Sequence, residues 1–196
     1  MDRYDAAQDH YCYPGTYVLK NELGIQDAGR LEEAERKITA KTSESIKYQP
    51  PPYSLQYLQQ LHRTLFEPLY AWAGELRDVG IAKGGTVFCI PVRLQAEAAR
   101  LFGELADDGW LLEISHDELC KALARHYCEF NMLHPFREGN GRVQRILFEH
   151  LTLAAGYELD WSDVTPAEWV QANIDGVNVD YRRMTGIFTR VVTGTG

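Results

Sequence analysis

His134-Pro135-Phe136-Arg137-Glu138-Gly139-Asn140-Gly141-Arg142-Val143-Gln144-Arg145 joins two helix-like segments through a glycine-rich turn. Upstream, Ser115 and Glu118 form a capping-box pattern. Leu119, Ala122, Leu123, His126, Tyr127 and Phe130 follow at helical spacing. Pro135 disfavours helical backbone at the residue before it, so His134 is expected at a helix-to-loop edge. Glu138 to Gly141 reads as a tight loop. A second helix is expected from about Gly141 to near Gly156, a suitable residue just past a helix end.

Outward from there the chain reads as more helices. Asp27 is placed to cap a Glu-, Lys- and Ala-rich helix to about Lys47. Gln49-Pro50-Pro51-Pro52 then breaks the chain, because proline cannot continue a helix. Ser54 caps a run with Leu55, Leu58, Leu61, His62, Leu65, Phe66 and Leu69 on one face, and Pro68 should end or kink it. Arg93 to Asp108 repeats the pattern, with Leu94, Ala98, Leu101, Phe102 and Leu105. Thr165-Pro166-Ala167-Glu168 places a cap, a first-turn proline and a third-position glutamate in order. A last helix carries Tyr181, Met184, Ile187, Phe188 and Val191. Only Val79–Lys83 and Thr86–Ile90, flanking Gly84-Gly85, read as β, a hairpin signal. The expectation is an all-α bundle with one β-hairpin, and a disordered tail at Thr193-Gly194-Thr195-Gly196.

Composition sets the limits. A chain of 196 residues, 45% hydrophobic and 24% charged, suits one globular domain with a real core. Its net charge of −8 argues against direct, non-specific nucleic-acid binding. Cys12, Cys89, Cys120 and Cys128 form no CxxC pair and read as small buried hydrophobes in a reducing compartment. Met1 to His10 has no apolar leader core, and no run is long enough for a membrane helix. The expected location is the cytoplasm, away from membranes.

The loop carries the chemistry. Glycine and asparagine tolerate positive φ, so successive amides can face one concavity, and the following helix adds its own N-terminal amides. This is an anion site suited to phosphate, formed by Gly139, Asn140 and Gly141. Arg142 and Arg145 are three apart, hence on one helix face, and both carry fork-shaped donors for a polyphosphate. Glu138 is placed to hold a divalent cation bridging phosphates. His134 is the one side chain in the loop that takes a proton near neutral pH. Taken singly, each residue has an ordinary explanation: a helix terminator, a turn, a solvated face. Their conjunction within twelve positions points to a nucleotide site with a metal and a base. No strand precedes the loop and no Walker lysine is present, so it is not a P-loop.

That conjunction resembles the complete motif of the Fic family, HPFx(D/E)GNGRxxR. Trp72-Ala73-Gly74-Glu75-Leu76-Arg77, followed by Lys83-Gly84-Gly85-Thr86 and Phe88, is similar to the family's segment leading into its flap hairpin. Asn131 also recurs in relatives. Tyr13-Pro14-Gly15-Thr16 and Leu19-Lys20-Asn21-Glu22-Leu23-Gly24-Ile25 resemble stand-alone bacterial Fic toxins. The resemblance implies a single Fic domain over residues 1–196, with an N-terminal helical extension (1–50), a core (51–160) and C-terminal helices (161–196).

It also implies an activity: transfer of AMP from ATP to a Tyr, Ser or Thr hydroxyl of a target protein. His134 would be the base and Glu138 the Mg²⁺ ligand. Arg142 would meet the β-phosphate region and Arg145 the γ-phosphate. Phe136 would anchor the loop in the core. Lys83, Gly84, Gly85 and Thr86 would dock the target backbone as an added strand. Relatives that transfer a phosphoryl group instead carry lysine at the place of Gly141, so Gly141 favours adenylylation. Self-inhibited members carry [ST]xxxE[GN], and no Ser or Thr here has Glu four residues on. The implied inhibitor is therefore a separate small antitoxin whose glutamate pairs with Arg145. The family's targets for such toxins are the ATPase subunits of DNA gyrase and topoisomerase IV. Two alternatives stay open: a nucleotide-binding regulator without transfer, and a Fic enzyme with another phosphotransfer or AMP-removing activity.

Overall fold

Four of the helices begin on a side-chain cap that the sequence announces. In the computed structural model, which describes residues 9–194, Asp27 accepts from the Arg30 amide and opens α1 (Ala28–Ser43). Ser54 accepts from Tyr57 and opens α2 (Leu55–Phe66). The Ser115–Glu118 capping box opens α4 (His116–Leu133). Thr165 accepts from Glu168 and opens α6 (Pro166–Val177), with Pro166 in its first turn. Three helices start without a side-chain cap: α3 (Leu94–Asp107), α5 (Asn140–Ala154) and α7 (Arg182–Val191). The reading of residues before Asp9 as leaderless, and of Thr195 and Gly196 as tail, lies outside the described residues. Among the described residues no helix is long and apolar enough to cross a membrane.

The hairpin forms where expected but is short. β1 (Ala82–Lys83) pairs antiparallel with β2 (Thr86–Val87), with Lys83 opposite Thr86. Gly84 and Gly85 both take positive φ, +55° and +84°, as this two-residue turn requires. One more bond spans the hairpin, from the Phe88 amide to the Ile81 carbonyl (3.2 Å); beyond it the Cys89 amide donates to the Met132 carbonyl of the helical body at 3.0 Å.

Two expectations need correction. α1 ends at Ser43, short of Lys47. The start of the tail is also ordered: β4 (Val192–Gly194) pairs antiparallel with β3 (Tyr157–Leu159), matching Leu159 to Val192 and Tyr157 to Gly194. Three-residue strands are too short to show a period of two. Their partner lies a helix pair away in sequence, so no local signal announces them.

α4 occupies the centre, packed by α3, α5, α6 and α7, while α1 covers α2 and α2 leans on α5. Its buried face carries Leu119, Leu123, Tyr127, Phe130 and Leu133. Cys12, Cys120 and Cys128 are buried and Cys89 is half-buried. α6 meets α4 so closely that a Cβ on Gly176 would lie 2.4 Å from Cys128 Sγ. Gly176→Ala should therefore destabilise by about 1–3 kcal/mol through overpacking. Gly186→Ala on α7, where a Cβ meets nothing within 4 Å, should be neutral or stabilising. Thermal unfolding of both variants checks this; equal melting temperatures would refute the packing argument.

Candidate active site

The loop is built around one buried ring. His62 of α2 stacks on Phe136 (centroids 4.0 Å apart) and on Phe66 (4.7 Å). Its Nε2–H donates to the Glu138 carbonyl (3.0 Å), and its Nδ1 accepts from the Gly74 amide (2.8 Å). That pattern fixes one neutral tautomer. Burial drives the His62 pKa down to about 3. Gly139 has φ +79°, and a Cβ there would fall 2.3 Å from the Phe66 ring. Only glycine fits both constraints. Asn140 closes the turn with its side chain: Oδ1 accepts from the Phe136 amide (2.9 Å) and Nδ2 donates to the Phe136 carbonyl (2.8 Å). Phe136 is wholly buried, as an anchor should be.

His134 ends α4 in left-handed backbone, φ +39° and ψ +62°. A side chain rarely sits there, and such strain collects at functional sites. Its Nδ1 donates to the Asn131 carbonyl, which can only accept. Nε2 is thereby the ring nitrogen that carries the lone pair. The ring lies flat on Phe88 of the flap segment, 3.8 Å between centroids at 14°. Arg77, buried, locks this corner. Its Nε donates to the His134 carbonyl (2.7 Å), Nη1 to Val79 (2.7 Å) and Nη2 to Cys89 (2.5 Å).

The expected site residues do not all share one space. A cavity of about 520 Å³ is lined by Lys83, Gly84 and Thr86 of the flap, and by Asn131, His134, Gly141 and Arg145. Its far wall is apolar, with Trp161, Trp169 and Ile174. Asn173 belongs to this wall; its Nδ2 donates to the Trp169 carbonyl, and its buried Oδ1 has no partner among the described residues. A second cavity, about 490 Å³, lies between α1 and the start of α5. It is lined by Arg142 together with Glu35, Arg36 and Thr39, and Gly141 and Arg145 border both cavities. Gly85 sits at the exposed hairpin tip.

The two arginines diverge. Arg142 Nη2 lies 2.5 Å from Glu35 Oε1 and 3.6 Å from Glu138 Oε1. The Arg145 guanidinium lies 5.6 Å from the Trp169 ring centroid, and among the described residues no carboxylate forms an ion pair with it. Glu138 is fully buried, and its Oε1 accepts from the Gly139 amide at 2.9 Å. The amide of Gly139 thus serves the loop's own carboxylate. The first turn of α5 is left to supply anion-binding amides. Gly141 has open space around it and helical backbone, so packing does not demand glycine there.

The model of the Fic/DOC family matches residues 52–152. The chain belongs to the Fic/DOC family. It is 38% identical to "Probable protein adenylyltransferase Fic" of Salmonella typhimurium, over 98% of this chain and 96% of that protein. A protein of the same name from Escherichia coli is 37% identical, over 100% of this chain and 98% of its own length. Among solved structures, BepC of Bartonella tribocorum with bound AMPPNP superposes with a TM-score of 0.87 at 29% identity, covering 95% of this chain and 97% of that one. A Bartonella quintana Fic domain with bound ADP gives 0.87 at 28%, covering 94% and 95%. This Fic chain is accordingly an enzyme of the protein adenylyltransferase class.

Sequence reasoning gave no role to His62, Glu35 or Asn173, nor to Arg77 beyond its place in the flap-entry segment. His62 and Asn173 lie on apolar helix faces, where a polar residue departs from the pattern, and that departure was the available signal. The neutral state of His62 has a consequence for pH. The unfolded chain protonates near pH 6.5, while the folded loop resists until about pH 3. Stability contributed by this group is therefore full above pH 6.5 and falls as pH drops towards 3, by about 1.4 kcal/mol per pH unit. His126 and His150 are also shifted down by burial and act in the same direction. His62→Gln should flatten the decline in stability between pH 6.5 and 4.5. An unchanged slope in denaturant titrations would contradict the neutral assignment.

Proposed function

We propose that this Fic domain transfers AMP from ATP to a hydroxyl of a protein substrate. The observation that carries the reading is His134: its Nδ1–H is fixed on Asn131, and its ring lines the cavity shared with the flap and Arg145. In the proposed step, Nε2 takes the proton of the incoming hydroxyl. The oxygen then bonds to the α-phosphorus, the bond from that phosphorus to the bridging oxygen breaks, and pyrophosphate leaves. The apolar wall of Trp161, Trp169 and Ile174 suits the base, with Asn173 Oδ1 offering an acceptor to its amino group. The first turn of α5, Arg145 and Arg142 would take the phosphates. The hairpin, with Lys83, Gly84, Gly85 and Thr86, would pair with the substrate backbone.

Glu138 would hold Mg²⁺. The donor set fits an ion that arrives on phosphates, since Mg²⁺ is commonly held by one or two carboxylates plus substrate oxygens. Among the described residues no cluster of three ligands offers an alternative. When bound, the ion supplies charge neutralisation between the phosphates.

The same reading takes residues 1–196 as one catalytic unit in the cytoplasm, inhibited in trans by a small antitoxin. The place of Arg145 supports this, because it borders both cavities and a partner's glutamate could reach it there. The target class, ATPase subunits of type II topoisomerases, rests on the motif and N-terminal resemblance.

His134→Ala should lower AMP transfer by about 10²–10⁴-fold while leaving ATP affinity within a few-fold. Incubation with α-³²P-ATP in a bacterial lysate, beside calorimetric ATP binding, measures both. Label that persists in the variant, or label from γ-³²P-ATP alone, would overturn the reading.

A further inference from the structure

Glu35 lies on α1, outside the residues matched by the family model. It is 1% exposed, a poor place for a carboxylate unless it is fully paired. Its Oε1 holds Arg142 Nη2 at 2.5 Å, and its other oxygen accepts from the Tyr70 hydroxyl. One turn along α1, Thr39 Oγ1 accepts from Arg142 Nη1 at 3.2 Å. The guanidinium lies 4.7 Å from the Phe66 ring centroid. Arg142 is thus gripped on three sides, yet its side chain stays 29% exposed and lines the cavity beside α1.

We propose that Glu35, with Thr39, is a positioning residue for Arg142, setting its guanidinium at the cavity mouth to receive the distal phosphates of the nucleotide. The inference rests on the reading of this site as an ATP site. The nearest competing carboxylate is Glu138, 3.6 Å away and one helical turn back. Without Glu35, Glu138 is the carboxylate that still pulls on Arg142, and it lies inside the loop. The guanidinium would fold onto Glu138 and leave the cavity. Glu32 and Glu33 also border the cavity but stand exposed, so they cannot replace a desolvated, hydrogen-bonded partner. A mere tie between α1 and the body would stabilise every state alike. Positioning of Arg142 acts only on ligands that carry phosphate beyond the α-position.

Calorimetry with the Mg²⁺ forms of AMP and α,β-methylene-ATP separates these roles. Glu35→Gln should leave AMP affinity within about twofold and weaken α,β-methylene-ATP about tenfold, the size of a lost charged hydrogen bond. KM for ATP should rise more than kcat falls. Arg142→Ala should show the same selective loss, and the double variant should add little to it. Thr39→Val removes the Arg142 contact, together with the hydroxyl's bonds to carbonyls of its own helix, and should give a selective loss of about threefold; it carries the test if Glu35→Gln does not fold. Parallel weakening of both ligands, or full additivity, would show a merely structural role. If Arg142→Ala leaves the preference for the triphosphate intact, the phosphate role of Arg142 falls and the proposal with it. If Arg142→Ala erases that preference while Glu35→Gln and Thr39→Val do not, the ATP reading stands and the positioning role alone fails.

Discussion

A single buried guanidinium governs the geometry of the site. Arg77 takes its acceptors from the end of α4, from the entry to the flap and from its exit: the carbonyls of His134, Val79 and Cys89. These carbonyl bonds help offset the cost of burying the cation. The result is a fixed relation between three chain segments. Arginine suits this task because its planar fork reaches several carbonyls in fixed directions, which an ammonium cannot do. The His134 backbone, held left-handed, depends on this bracing more than any other residue in the loop.

On the other side of the loop the support is apolar and neutral. Phe136, His62 and Phe66 form a column, with the Arg142 guanidinium at its end. The N-terminal segment adds a second brace: Arg137 Nε donates to Asp9 Oδ2 at 2.9 Å, with both side chains almost buried. The aromatic column and the Arg137–Asp9 pair thus hold the loop from within, while the arginines beside Gly141 face cavities.

Much of this was legible in the chain. Helix starts could be read because caps act within four residues of their own position, as Ser115 and Thr165 show. Of the motif residues, His134, Gly141 and Arg145 line one cavity. The β3–β4 pairing was not legible, since it joins Leu159 to Val192 across two helices. Glu35 was hidden for a similar reason. In sequence it is one acid in a charged helix, and only folding brings it against Arg142. The inhibitory pattern sought from Ser and Thr residues could not find it. The side chain of Asn140 has a further task the sequence did not announce: it braces the turn through Phe136. The three-residue spacing of Arg142 and Arg145 put them on one helix face, but their neighbours draw their tips apart.

The stack of Phe88 on His134 makes the hairpin and the imidazole one mechanical unit. β1 and β2 share only two residue pairs, so the hairpin has little stability of its own. A chain that pairs with it would stiffen it and, through Phe88, steady the His134 ring. In the proposed reaction, arrival of the acceptor and alignment of the base would then be a single event. Such coupling would disfavour loss of the nucleotide to water, because water brings no strand to the flap.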